Sequence, residues 1–327
     1  MSAPDSVRLS VIVPAFNEER NVPRMVEEIT TACVRLAVPY EVIFIDDGSR
    51  DGTYAALREA RLKDPRIKII RFRKNFGQTA ALSAGFDYSR GEIVITLDAD
   101  LQNDPGDFGI LIAKIEEGYD LVSGWRKDRK DRFLSRRLPS ITANWIISRI
   151  TKVKLRDYGC TLKAFRRDVI KNIKLYGEMH RFIPAVAATI GVSIAEVPVN
   201  HRPRIHGKSK YGISRSIRVF LDLLTVKFLL SYSTRPLQIF GLMGLLSGGL
   251  GGVLGLILSY ERLFLKQSIA NRPLLLLAVL LIVIGIQFIT MGLLGEIMVR
   301  TYHEAVQKSI YVVREALGTE IDPDEDA

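Results

Sequence analysis

The sequence predicts an α/β domain with a mostly parallel sheet, followed by a C-terminal two-helix transmembrane hairpin. Two observations carry this. Up to residue 235, short apolar runs alternate with segments of helical periodicity. From 236 to 299, two long apolar runs replace that alternation. Composition agrees: the 327 residues are 47% hydrophobic and 25% charged, with a formal net charge of +10. That is too apolar for a disordered chain and long enough for one large domain or two small ones. Cys33 and Cys160 cannot make a disulfide scaffold, and no CxxC or Cys/His cluster points to zinc. The N-terminus lacks a basic start followed by an apolar core. No signal peptide is expected, and the N-terminal part is expected to stay in the cytosol.

The elements follow in order. Residues 9–13 form an apolar run ending at Pro14, and 18–36 have helical spacing. A second run, 41–45, ends in Asp46-Asp47-Gly48-Ser49, and 50–61 read as helix. Strand 67–72, helix 77–88 and strand 92–97 come next, the last ending in Asp98. Helix 107–117 and a fifth strand, 120–123, complete the series. Strands alternating with helices imply a parallel sheet covered on both faces. Ligands of such sheets bind at the C-terminal strand ends. Residues 14–18, 46–49 and 98–102 all sit there. No GxGxxG follows the first strand and no GxxxxGK[ST] occurs in the soluble part, which disfavours dinucleotide oxidoreductases and P-loop ATPases.

A bilayer span needs ~20 apolar residues, and 236–260 and 273–295 both qualify. The short loop 261–272 joins them, so a hairpin with both ends on one side is simplest. Lys208, Lys210, Arg215, Arg218, Lys227 and Arg235 precede the first span, and Arg300, Lys308 and Arg314 follow the second. The loop has only Arg262, Lys266 and Arg272, which places both termini inside. Gly244, Gly248 and Gly252 repeat every four residues and predict a close-packing face, within the hairpin or between subunits. Ile217, Phe220, Leu221, Leu224 and Phe228 follow helical spacing among charges, as in a helix lying in the membrane interface. Residues 126–156 are a second basic amphipathic stretch. Nucleic acid is disfavoured as a partner, because the basic stretches adjoin membrane-like apolar residues and no RNA or DNA motif appears.

Asp98-Ala99-Asp100 sends two carboxylates from one strand end. Like charges so close repel and need a cation between them. Oxygen-only ligands suit Mg²⁺ or Mn²⁺, which would also bind substrate phosphates, and Gln102 offers a further oxygen. The bland alternative is a pair of solvated loop carboxylates.

Pro14-Ala15-Phe16-Asn17-Glu18, Asp46-Asp47-Gly48-Ser49, Asn75-Phe76-Gly77-Gln78 and Asp98-Ala99-Asp100-Leu101-Gln102 resemble, in order and spacing, the motifs of glycosyltransferase family 2. The segment from Asp157-Tyr158-Gly159-Cys160 to Phe165 and the loop Arg204-Ile205-His206-Gly207-Lys208-Ser209-Lys210 narrow the likeness. They are similar to the polyprenyl-phosphate glycosyltransferases, which include dolichyl-phosphate mannose synthase. The bacterial undecaprenyl-phosphate 4-deoxy-4-formamido-L-arabinose transferases are the nearest subgroup. The likeness runs to about residue 315.

That resemblance implies a GT-A fold with interfacial helices and the membrane hairpin. It divides the chain into a cytosolic catalytic domain (1–212), an interfacial helix (213–234), two transmembrane helices (235–299, about 236–260 and 273–297) and a cytosolic tail (300–327). It implies inverting transfer of one sugar from a nucleotide-diphosphate sugar, UDP-linked by subgroup, to undecaprenyl or another polyprenyl phosphate, for envelope glycan or lipid A modification. A GDP-mannose-using enzyme and a non-catalytic nucleotide-sugar-binding scaffold are the alternatives. Pro14, Phe16, Glu18 and Asp47 would frame the nucleotide. Asp98, Asp100 and Gln102 would surround the metal. Arg126, Arg204 and Lys210 would meet the donor phosphates, and Arg126, Arg137 and Lys208 the lipid phosphate. Asp100, Asp157, Arg204 and Lys210 are the candidate catalytic set. The basic loop suits a phosphate clamp, with attraction to anionic lipid as its rival. The implied setting is the bacterial inner membrane, multi-pass, as a homo-oligomer.

Overall fold

A computed structural model describes residues 7–127, 148, 153–173, 175, 179–203, 236–266, 268, 272–305 and 310–319. The chain divides into two compact units, Met1–Val226 with Ser309–Ala327, and Lys227–Lys308.

The first unit is built on one sheet. Its strands are β1 (Leu9–Ala15), β2 (Tyr40–Asp46), β3 (Ile67–Phe72), β4 (Ile93–Thr96), β5 (Leu121–Trp125), β6 (Lys163–Arg166), β7 (Ile194–Pro198) and β8 (Val313–Leu317). They lie in the order β7-β5-β6-β4-β1-β2-β3-β8. β1 pairs in parallel with β2 and β4, β2 with β3, and β5 with β7. β6 runs antiparallel to β4 and β5, and β8 antiparallel to β3. All seven residues of β2 are buried, as expected of a strand covered on both faces. The helices of this unit are α1 (Val22–Leu36), α2 (Thr53–Lys63), α3 (Gln78–Asp87), α4 (Phe108–Glu116), α5 (Arg167–Lys171) and α6 (Ile183–Thr189). α1 shows why the pattern works: Val22, Met25, Ile29, Ala32 and Cys33 fall on one face and are buried against the sheet.

The five strands expected from apolar runs are present. Three others are not visible in that way. β6 begins and ends on a cation, β7 is mostly half-buried, and β8 is an edge strand with Arg314 and Glu315 exposed. The sheet is therefore mixed, and the segment expected as a tail, 300–327, contains its last strand. The interfacial helix expected at 213–234 lies outside the described residues.

The second unit is a pair of helices, α7 (Pro236–Leu263) and α8 (Pro273–Ala305). Within them Phe240–Leu263 and Pro273–Gly295 are long and apolar enough to cross a membrane. The helices touch through glycines. A Cβ on Gly244 would lie 2.6 Å from Ile289 and 2.7 Å from the Gly285 carbonyl, and one on Gly251 would lie 2.7 Å from the Ala278 carbonyl. Ser247 Oγ donates to the Leu281 carbonyl at 3.0 Å. Gly252, expected on this face, has no neighbour within 4 Å, and Gly251 takes its place. A seam between straight helices advances by fours and threes, since 3.6 residues make a turn, so a strict four-residue repeat drifts off it.

Candidate active site

Because β4, β1 and β2 are adjacent, their C-terminal ends bring residues 14–18, 46–49 and 98–102 to one edge. The first two loops are stitched together. Asn17, at φ 58°, donates its amide to Ser49 Oγ at 3.0 Å, and its Oδ1 accepts from Arg50 N at 2.9 Å. Asp46, fully buried, accepts from Ser49 N at 2.9 Å. Gly48 has φ 68°, and a Cβ there would sit 2.4 Å from the Lys74 carbonyl carbon, so only glycine fits. Glu18 N donates to Thr53 Oγ1 at 2.8 Å. Pro14 and Phe16 are half-buried at the strand end.

Asp47 points into the loop before α3. Its Oδ1 accepts from Phe76 N at 2.7 Å, and its Oδ2 accepts from Gly77 N at 3.0 Å and Asn75 Nδ2 at 2.9 Å. Burial pushes its pKa up to about 6, against the pull of the Phe76 and Gly77 amides. One residue after that loop, Gln78 Nε2 donates to Asp98 Oδ1 at 2.6 Å.

Asp98 also accepts from the Thr161 hydroxyl, which itself accepts from Asn103 Nδ2 at 2.8 Å. Burial raises the Asp98 pKa, and the Asp100 charge adds to the rise. Thr161, Arg126 and Lys163 oppose it. Asp100 Oδ1 accepts from Gln102 N at 3.2 Å. Between them Leu101 is buried with φ 61°, a left-handed conformation that costs a non-glycine residue about 1 kcal/mol or more. This kink turns the chain after Asp100, where Gln102 N bonds back to the Asp100 carboxylate. Gln102 Nε2 reaches the Arg202 carbonyl at 3.5 Å, and Arg202 N donates to the Gln102 carbonyl at 2.9 Å. The Arg202 guanidinium holds Glu28 at 2.6 Å and Asp104 at 2.7 Å. The chain entering the basic loop is thus fastened to the Asp98–Gln102 segment. Arg204, Lys208, Lys210 and Arg137 lie outside the described residues.

On the other flank, Arg126 follows β5 and pairs with Asp157 through two bonds, Nε to Oδ2 at 2.7 Å and an Nη to Oδ1 at 2.9 Å. Burial pulls the guanidinium pKa down, but the Asp157 bonds outweigh it and the net shift is upward. Asp157 Oδ1 also accepts from Gly159 N at 3.1 Å. Buried Lys163 donates Nζ to the Cys160 carbonyl, and burial lowers its pKa. Cys160 is packed and its thiol is raised by burial, so it is no nucleophile. His180 shares a 2.9 Å bond with Thr79 Oγ1, and burial lowers its pKa to about 3.

The metal expectation can be tested on this donor set. Among the described residues no three His, Cys, Asp or Glu side chains come together to hold an ion. Asp98 and Asp100 are two carboxylates, both partly open to solvent. Mg²⁺ and like ions are commonly held by one or two carboxylates, with substrate phosphates completing the shell. The set fits such a shared ion and does not fit a closed structural site. Gln78 and Thr161 lie in the motif segments but had no role assigned from the sequence, and Asn103 was not found, because neutral side chains that orient a carboxylate carry no signal of their own.

Residues 10–174 match the family described as glycosyl transferase family 2. The chain belongs to that family. This glycosyltransferase is 45% identical over 314 residues to the dodecaprenyl-phosphate galacturonate synthase of Rhizobium johnstonii, covering 95% of this chain and 93% of that one. It is 35% identical over 325 residues to the undecaprenyl-phosphate 4-deoxy-4-formamido-L-arabinose transferase of Aeromonas hydrophila, covering 99% and 98%. Two solved structures share its fold. The mannosyl-3-phosphoglycerate synthase of Rubrobacter xylanophilus has a TM-score of 0.54 at 15% identity, over 68% of this chain and 74% of that one. The glucosyl-3-phosphoglycerate synthase of Mycobacterium tuberculosis with Mn²⁺ and UDP-glucose has 0.51 at 17%, over 68% and 79%. The first unit of this glycosyltransferase is accordingly a GT-A fold with a mixed sheet, and two apolar helices lie toward the C-terminus of the chain.

Proposed function

We propose that this glycosyltransferase moves one sugar from a nucleotide-diphosphate donor, UDP-linked, to a polyprenyl phosphate at the cytosolic face of a bacterial inner membrane. The observation that carries this is Asp98 and Asp100 at one strand end, between two loops stitched by hydrogen bonds and a buried arginine. The relatives named for polyprenyl-phosphate products point to the acceptor.

Asp98, Asp100 and Gln102 would hold the divalent ion, Mg²⁺ or Mn²⁺. Bound there, it supplies positive charge against the leaving diphosphate. Pro14, Phe16, Glu18 and Asp47 frame the nucleotide, Asp47 through lone pairs left by its amide partners. Arg204 and Lys210 would complete the neutralisation of the diphosphate from a loop whose stem is tied down at Arg202. A phosphate monoester has its second pKa near ~6, so the acceptor is already ionised at neutral pH and needs little help from a base. The Asp157 geometry agrees, since its carboxylate is occupied by Arg126. Asp157 then acts by holding Arg126 in place. Arg126, with Arg137 and Lys208, receives the acceptor phosphate. Next to Trp125, which precedes Arg126, a cleft of about 480 Å³ is lined by Trp125, Leu155 and Pro198, by the cations Lys154 and Arg156, and by Ser148 and Glu196. The Glu196 carboxylate there accepts from the Arg156 and Asp157 amides, and the two cations give the cleft a net positive lining.

Connectivity supports a hairpin with both ends on the cytosolic side, since β8 follows the hairpin yet pairs with β3. The homo-oligomer stays part of this proposal, as does a role in envelope glycan or lipid A modification.

A donor panel tests the reading: UDP- and GDP-sugars against undecaprenyl phosphate in detergent, with Mg²⁺, Mn²⁺ or EDTA, read by mass spectrometry of the lipid. UDP-galacturonate and the UDP-linked formamido-arabinose come first. One sugar added, only with metal, is the expected result. A folded protein that binds a nucleotide sugar yet gives no product with any donor would overturn it.

A further inference from the structure

The sheet does not end where the chain leaves for the hairpin. Residues 313–317 come back and pair with β3, and Arg73 N donates to the Val312 carbonyl at 3.1 Å. Two side-chain routes run from this returning segment into the nucleotide loops. The first is polar. Glu315 Oε2 accepts from the Tyr54 hydroxyl at 2.6 Å. The Arg71 guanidinium lies over the Tyr54 ring at 4.0 Å, and its Nε is 3.4 Å from Asp46 Oδ2. Asp46 in turn accepts from Ser49 N, and Ser49 Oγ accepts from Asn17 N. The second route is aromatic. Tyr311 is buried, stacks on Phe72 at 5.2 Å and donates its hydroxyl to Asp87 Oδ2 at 2.6 Å. Phe72 meets Phe76 edge-on at 5.7 Å, and Phe76 N is one of the donors that fix Asp47.

We infer that the segment after the membrane hairpin is a brace for the nucleotide-binding edge, with Glu315 and Tyr311 as positioning residues that act through Asp46 and Asp47. This rests on the reading of residues 14–18 and 46–49 as the nucleotide's frame. The physical case is one of redundancy. Asp46 is buried, and a charge there is tolerable only with a partner. Arg71 is that partner, and its long side chain would wander without the Tyr54 ring beneath it. Tyr54 is fixed in turn by Glu315. Each step is modest alone, yet all converge on loops whose geometry must be right for a ligand to bind. The same arrangement makes the catalytic unit incomplete until the hairpin and the residues beyond it have been synthesised.

The test uses the full-length protein in detergent, as wild type, Glu315→Ala, Tyr54→Phe, their double variant and Tyr311→Ala. Hydrogen exchange is followed on peptides covering residues 46–53 and 74–78, with one from α4 as control. Titration with UDP and GDP is run alongside. A hydrogen bond worth about 1 kcal/mol translates into roughly a fivefold change. Exchange in both loop peptides should speed up about fivefold in the variants, with α4 unchanged. UDP affinity should fall by a similar factor. The double variant should be no worse than either of its single parents, because Glu315 and Tyr54 belong to one route. Unchanged exchange in the loops, even with a lowered melting temperature, would reduce the segment to a staple on the sheet edge and sink the inference. Additive losses in the double variant would sink the polar route. Faster loop exchange in a protein whose wild type binds neither diphosphate would keep the brace and overturn the nucleotide reading.

Discussion

The two flanks of the Asp98 strand end hold their charges in opposite ways. On the flank proposed for the nucleotide, carboxylates are met mainly by amides: Asp47 by Phe76, Gly77 and Asn75, and one oxygen of Asp46 by Ser49. On the flank proposed for the acceptor, Asp157 is met by a guanidinium in a two-bond pair. Amides fix a carboxylate without cancelling its charge, and burial lifts the Asp47 pKa to about 6 against their pull. A guanidinium cancels the charge and ties two residues to one another's presence. The first flank is built to keep loop geometry. The second is built to keep a cation buried in a fixed place.

Removing one member of the buried pair should therefore cost most. The side chains of Arg126 and Asp157 are 15% and 4% exposed. Breaking a buried ion pair on one side costs about 3–5 kcal/mol, because the other charge is left without compensation. Asp157→Ala should lower the melting temperature of the detergent-solubilised protein by roughly 10 °C. Replacing both, Asp157→Ala with Arg126→Leu, should recover much of that loss while transfer stays absent. A single variant that melts within about 2 °C of wild type would show that solvent reaches the pair and that the flanks do not differ.

Asp47→Ala should cost less, about 2 kcal/mol, since three donors lose their acceptor but two are backbone amides beside solvent-exposed loop residues. Its pH dependence separates it from Asp157. The folded pKa of Asp47 is raised, from 3.8 to about 6. The folded state thus binds the proton more tightly than the unfolded chain. The stability this contributes is fully present below about pH 3.8 and is lost as the pH rises through about 6. The penalty of Asp47→Ala should be larger at pH 4.5 than at pH 8, read as the melting difference from wild type. An equal penalty at both would mean that the amides, and not burial, dominate.

Much of this contrast was legible in the sequence, and the missing part has a physical reason. The five strands with mostly buried residues were visible as apolar runs, and the three acidic or polar clusters follow three of them. β6 and β8 were not visible, because short strands that carry Lys163, Arg166, Arg314 and Glu315 lack a run to read. Arg126 and Asp157 were both singled out, but their pairing joins residues 31 apart and appears only when β5 and the chain before β6 are brought together. The roles of Gln78, Thr161 and Leu101, all within the motif segments, were silent for another reason. Their contribution is an orientation or a backbone angle, and neither is a property of residue type.

The smallest expected effect tests the boundary between the flanks. His180 lies there, bonded to Thr79 at the start of α3, and lines the same small cavity as Asp98 and Lys163. Burial lowers its pKa from 6.5 to about 3, with the Arg181 and Lys163 charges adding to the fall. Between those values the unfolded chain takes up a proton that the folded chain refuses. Stability from this group is fully present above about pH 6.5 and declines as the pH falls toward 3. The decline is about 1.4 kcal/mol per pH unit at most. His180→Gln can keep a bond to Thr79 but has no proton to take up. The variant and the wild type should melt at similar temperatures at pH 8. At pH 5.5 the variant should be the more stable by about 1 kcal/mol, or some 2–4 °C. Should the two curves run parallel down to pH 5, His180 is hydrated, and the cavity between the flanks is open to water rather than sealed by Leu82 and Ile183.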